Sequence, residues 1–199
     1  MAIRVLVIGQ HDPVQDIFEA AAARVGPNTD TFMMLRCPAP DLLFDTVLRA
    51  VRALNEPISV LDLYDHGGNG RLHMGEPREA LLFSADGASA IAGQALAGKL
   101  ADLLTHDAHV HLLGCETALE EPGKRMLLTL QRAFGKSIVV HGTLQAVGPS
   151  DFGVGGFQML REGHVLFSST EAAELTGAQV ALTYDDRGHE LHLWRRRIG

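Results

Sequence analysis

Cysteine is scarce in this chain, with only Cys37 and Cys115 among 199 residues, and that excludes the disulfide framework of small secreted domains. The two read as reduced thiols of a reducing compartment, so a cytoplasmic protein is expected. Long apolar runs are missing too. The N-terminal stretch Val5 to Ile8 is too short for a signal-peptide core or a membrane span, and nothing later is long enough, so no membrane partner is expected. Basic charge is in deficit: 17 Lys and Arg against 24 Asp and Glu give a net charge of −7. That balance argues against a nucleic-acid partner. The one basic run, Arg195-Arg196-Arg197, reads as a solvated tail. Repeats, linkers and biased tracts are absent as well. The chain suits one domain over residues 1–199, and 46% hydrophobic residues suffice for a core without disulfides or metal.

What is present alternates in period. Ile3 to Ile8 is a β-branched run of the kind found in buried strands, broken by Gly9. Asp12-Pro13-Val14-Gln15 is a helix start, with Asp12 as N-cap, Pro13 at the first helical position and Gln15 closing a capping box. The helix stops at Gly26-Pro27. Thr31 to Leu35 reads as a strand, Pro38 to Pro40 as a loop that contains Cys37 beside it, and Asp41 to Leu54 as a helix ended by Pro57. Ile58 to Tyr64 is a third strand, followed by the glycine-rich Asp65-His66-Gly67-Gly68-Asn69-Gly70 and an excursion to Gly87. Ala90 to Leu104 is helical, His109 to Leu113 a strand closed by Gly114-Cys115, Lys124 to Phe134 a helix, and Ser137 to His141 a fifth strand. Gly156 to Phe167 reads as a hairpin around Glu162-Gly163, and Gln179 to Trp194 as another around Arg187-Gly188. The expected architecture is α/β, a three-layer αβα sandwich with a mostly parallel sheet and C-terminal β-hairpins.

In such sheets chemistry collects at the carboxyl ends of the strands. His66-Gly67 and Gly114-Cys115 both sit at such ends, on strands that successive βα units place side by side. A thiol becomes a nucleophile when a base or positive neighbour takes its proton, and a histidine across one strand gap supplies either. The N–H groups of Gly67 and Cys115 are the candidate oxyanion donors. Asp62 and Asp65 are near His66 in sequence, but neither is assigned as its orienting partner.

At these residues the chain resembles the caspase–hemoglobinase clan of cysteine peptidases. His66 and Cys115 are 49 positions apart, close to the roughly 50 of caspases. Leu112-Leu113-Gly114-Cys115-Glu116-Thr117-Ala118 is similar to the cysteine motif of bacterial CHAT domains, and His66-Gly67 to their His-Gly motif. Gly114 is also seen in toxin self-processing relatives. The segments Leu81 to Ser84 and Ile91 to Leu96 look like the stretch that joins the two motifs. The resemblance is good from Ile58 to about His141. It implies a caspase-like thiol protease, a hydrolase working as a His66–Cys115 dyad on a protein or peptide substrate, with room for a regulatory partner protein and no cofactor. It does not extend to Asp specificity, because no Gln-Ala-Cys-Arg-Gly or Gln-Ala-Cys-Gly-Gly is present.

By the same resemblance Asp12, Leu113 and Glu116 flank the bound peptide. Leu113 stands where caspases carry Gln and basic-specific relatives carry Asp. An apolar wall there favours an uncharged residue before the cut bond. The alternatives are a caspase-like binding or signalling module without turnover, and an esterase of the α/β-hydrolase type, for which the nucleophile elbow is missing. His109 and His111 share a strand face and His189 and His192 lie in the tail, yet no His-Glu-x-x-His motif is present and no metal is expected.

Overall fold

The computed structural model describes residues 2–12, 16–135, 137–158, 166–174, 180–184 and 190–194. The first strand, β1 (Ile3–Gly9), is buried along nearly its whole length and leads to helix α1 (Asp16–Val25), whose Phe18, Ala21 and Val25 point inward. β2 (Phe32–Cys37), a 3-10 turn at Pro40–Leu42, α2 (Leu43–Leu54) and β3 (Ile58–Tyr64) follow. The excursion after β3 is a small antiparallel sheet of β4 (Gly67–Gly68), β5 (Arg71–His73) and β6 (Leu81–Ser84). Next come α3 (Gly87–Ala101), β7 (Leu104–Leu113), α4 (Glu120–Phe134) and β8 (Val139–Thr143). The pair β9 (Phe152–Gly153) and β10 (Gly156–Phe157), then β11 (Leu166–Ser168), α5 (Ser169–Glu174), β12 (Val180–Tyr184) and β13 (Glu190–Trp194) complete the described chain.

The central sheet has the order β11-β8-β7-β3-β1-β2, parallel from β8 to β2 and antiparallel only at β11. Alternation along the strands divides the core. Val5, Val7, Leu61, Leu63, Val110, Leu112 and Val140 face α2, α3, α4 and α5, while Leu6, Ile8, Tyr64 and Leu113 face α1 and the β9–β10 segment. A mostly parallel sheet with helices on both faces is compatible with a three-layer sandwich. Strands buried on both faces need near-continuous apolar runs, which is why β1 and β3 were legible from composition alone. Among the described residues no helix is long and apolar enough to cross a membrane.

Several expectations need correction. Gly9 closes β1 rather than interrupting it. The third helix starts earlier and ends three residues sooner than Ala90–Leu104, because Asp86 caps it in an extended conformation and the chain closes with Leu103 N–H on Leu100 O before β7 begins. The described ends of the expected 156–167 hairpin do not pair with each other: β10 pairs with β9, and β11 pairs with β8, whose outer edge would otherwise offer unpaired backbone groups. Of the final hairpin the strands pair as expected, Leu182 opposite His192, while its turn lies outside the described residues. So do Pro13 to Gln15, Glu162-Gly163, His189 and the run Arg195–Arg197, and of His192 only the backbone is described.

Candidate active site

The turn after β7 is the most constrained part of the site. Glu116 lies in the left-handed region at φ 57°, so the chain reverses directly behind Cys115. The turn is then tied to β8 by two threonines. Thr117 Oγ1 donates to Leu112 O at 2.9 Å and accepts from Thr143 N–H at 2.9 Å, Thr143 Oγ1 donates to Gly114 O, and Ala118 N–H donates to Thr143 O at 2.9 Å. Thr117 is fully buried, Cys115 half-buried and Glu116 exposed. This clamp is the physical content of the Glu-Thr-Ala part of the motif.

The His66 loop packs onto that turn through Gly67, against Gly114 and the methyl group of Thr117. A Cβ on Gly67 would stand 2.7 Å from Gly114 Cα and 2.9 Å from Cys115 N, and one on Gly114 would stand 3.0 Å from Gly67 N. Such distances are below any real carbon contact, so neither position accepts a side chain without moving backbone. The N–H of Gly70 also donates to Thr117 O at 3.2 Å. The structure therefore brings the backbones of Gly67 and Cys115, the two candidate oxyanion donors, into direct contact.

His66 itself sits half-buried at the end of β3, its ring edge-on to Phe18 (5.1 Å between centroids) and to His11 (5.3 Å). Its pKa is held below the ordinary histidine value. Burial is the main cause, opposed by Asp65 and reinforced by the neighbouring Arg78, His11 and His73. The imidazole is thus neutral at pH 7, the form that takes a proton. Beneath the pair, Tyr64 packs against Phe18 and Phe152, and its hydroxyl is raised by burial and then by electrostatic interaction with Cys115, Asp151 and Asp65.

Sequence reasoning missed a buried network that supports the loop. The Asp65 carboxylate accepts from His11 Nε2 at 2.9 Å, from Gly75 N–H at 2.6 Å and from the N–H of His66. Gly9 makes room for it, because a Cβ there would lie 1.7 Å from Asp65 Oδ2. His11 stacks on Phe18 at 4.8 Å and reaches Glu76 through Nδ1 at 3.3 Å. The hydrogen bond from Asp12 N–H is the main cause of a lowered Glu76 pKa, with His11 adding to it against some desolvation. His11, Asp65 and His66 are close enough to suggest a metal site, but Asp65 and both nitrogens of His11 are already engaged in this network. The available signal was positional: His11 and Asp65 end adjacent parallel strands. Asp62, by contrast, points away to Arg4 and His111.

The residues expected to flank a substrate do not converge. Leu113 is 0% exposed and belongs to the core beside Tyr64 and Phe18, so it supports the strand end from inside and presents no wall to a peptide. Asp12 and Glu116 are exposed. Asp12 is held by its backbone on Glu76, and the N–H of Glu116 donates to Gln145 O at 3.1 Å. Cys37 is no loop residue either. It ends β2, fully buried, with Sγ donating to Ala39 O at 3.1 Å, and burial pushes its thiol up to about 11. Iodoacetamide at neutral pH is accordingly expected to alkylate one thiol per folded chain. Mass spectrometry should find the adduct on Cys115, and an adduct on Cys37 would contradict its burial.

No family model matches the chain, and neither a curated protein nor a solved structure is detectably similar to it.

Proposed function

We propose that this protein is a cysteine endopeptidase of the caspase-like type, acting on a protein or peptide substrate. The observation that carries the reading is the close contact between the His66-Gly67 loop and the Gly114-Cys115 turn, which joins the two halves of the motif resemblance at adjacent strand ends. In this reading the Cys115 thiol passes its proton to the neutral His66 imidazole and the sulfur attacks the peptide carbonyl carbon. The developing oxyanion is held by the N–H groups of Gly67 and Cys115. His66 returns the proton to the departing amine, and water, deprotonated by His66, then hydrolyses the thioester. The buried Asp65 holds the His66 loop through its backbone, which fits a dyad with a positioning carboxylate.

A peptidyl electrophile tests this directly. It is expected to label Cys115 in the folded protein and to fail on His66→Ala. Because burial lowers the His66 pKa, the base stays neutral below the usual histidine value, and the acid limb of the labelling rate should fall below about pH 6.5. A folded protein whose Cys115 is inert, or is labelled equally well without His66, would instead be a caspase-like binding module.

A further inference from the structure

The sheet face that carries α1 also carries a row of polar side chains that the proposed peptidase chemistry does not use. In register across three parallel strands stand Asp62 of β3, His111 of β7 and His141 of β8. His109 lies two residues before His111 and so on the same face. The nearest ring centroids are those of His111 and His141, at 4.9 Å, and His109 stacks on His141 at 5.2 Å. One nitrogen from each of the three histidines falls within 4.8 Å of the others.

The surroundings of His111 are what make this row a ligand set. His111 Nδ1 lies 2.7 Å from Asp62 Oδ1, and Asp62 is fully buried with Arg4 Nε on its other oxygen at 2.7 Å. Arg4 is anchored in turn on Phe157 O at 2.9 Å. An ionised carboxylate only accepts, so His111 Nδ1 carries a proton toward Asp62 and Nε2 is the nitrogen left to meet a ligand. That Nε2 is buried, on a residue 2% exposed, and has no hydrogen-bond donor. A buried imidazole nitrogen with no hydrogen-bond partner, its ring fixed from behind by a carboxylate, is the arrangement of metal-bound histidine.

We infer that His109, His111 and His141 bind a divalent transition-metal ion, with Zn²⁺ the best match to three imidazoles, and that Asp62 orients His111 for it. His109 Nδ1 and His141 Nε2 are 2.9 Å apart. Zinc–nitrogen bonds of about 2.0–2.1 Å in tetrahedral geometry place two ligand nitrogens about 3.3 Å apart, so binding replaces their mutual hydrogen bond and spreads them by a few tenths of an ångström. His111 Nε2 approaches by small rotations of the other two rings, which are free to make them, since His109 is exposed and His141 only half-buried. That exposure also supplies the entry path, and it leaves a fourth coordination position to water.

The test uses the full chain, stripped with a chelator and titrated with Zn²⁺ against a chromophoric competitor, with Co²⁺ absorption reporting geometry. One equivalent bound, with tetrahedral Co²⁺ bands, is expected. His109→Ala, at an exposed position that folding does not need, and His141→Ala should each weaken binding by at least tenfold, whereas Cys115→Ala leaves it unchanged. Asp62→Asn should weaken it by roughly 10–100-fold, and unaltered affinity there would overturn the orienting role. Absence of stoichiometric binding by the wild type, equal binding by His109→Ala, or binding lost with Cys115 would each overturn the site.

Discussion

Cys115→Ala is expected to lose all measurable peptide hydrolysis while keeping the fold. Removing a nucleophile from a preorganised site costs on the order of 10⁶ in kcat, which is below detection in a peptide-library assay. The turn around it survives for a separable reason. Its geometry comes from Thr117 and Thr143, whose hydroxyls bond backbone at Leu112, Gly114 and each other's strand, and none of these contacts uses the sulfur. Loss of one half-buried sulfur costs about 1 kcal/mol, a shift of roughly 2–4 °C in Tm for a chain of this size. Circular dichroism and a library profile read both halves of the expectation. Residual cleavage at the wild-type rate, or a collapsed melting curve, would show that Cys115 is not the nucleophile.

The second large effect belongs to a residue that touches no substrate in the proposed reaction. Asp65→Ala leaves His11 Nε2, Gly75 N–H and His66 N–H without their shared acceptor in the interior. Deleting one partner of a buried charged network costs about 3–5 kcal/mol, which corresponds to a fall in Tm of roughly 10 °C. Hydrolysis should fall as well at temperatures where the variant is still folded, because the His66 loop loses its tether. Gly9→Ala is expected to mimic it, since a methyl group there occupies the position of Asp65 Oδ2. A thermal melt of Asp65→Ala within 2 °C of wild type, that size of difference being under about 1 kcal/mol, would remove Asp65 from the supporting network.

These two variants mark where sequence reading succeeds and where it stops. β3 was legible to the residue, because a strand covered on both faces must be apolar almost throughout and Pro57 and Asp65 bracket it. The positions of His66 and Cys115 at strand ends followed from the same pattern, since each glycine pair interrupts an apolar run. Pairing across strands was not legible. His11 meets Asp65 over 54 positions and His111 meets Asp62 over 49, and no local periodicity encodes which parallel strand becomes whose neighbour or in what register. Leu113 misled because β7 is covered on both faces: its side chain ends the strand inside the cluster of Tyr64, Phe18 and Phe152 rather than at the surface. Cys37 failed through a boundary, a strand that ends two residues later than its composition suggested.

The clamp of Thr117 on Thr143 also bears on how the protein comes into being. It closes over 26 positions, and the Asp65–His11 link over 54, so neither exists until β1, β3, β7 and β8 have found their registers. Contacts of such separation reward the chain only after their loop-closure entropy has been met. During refolding, local helical turns are therefore expected to form before these links close. The contacts that hold the His66 loop and the Cys115 turn are accordingly expected among the last this chain forms.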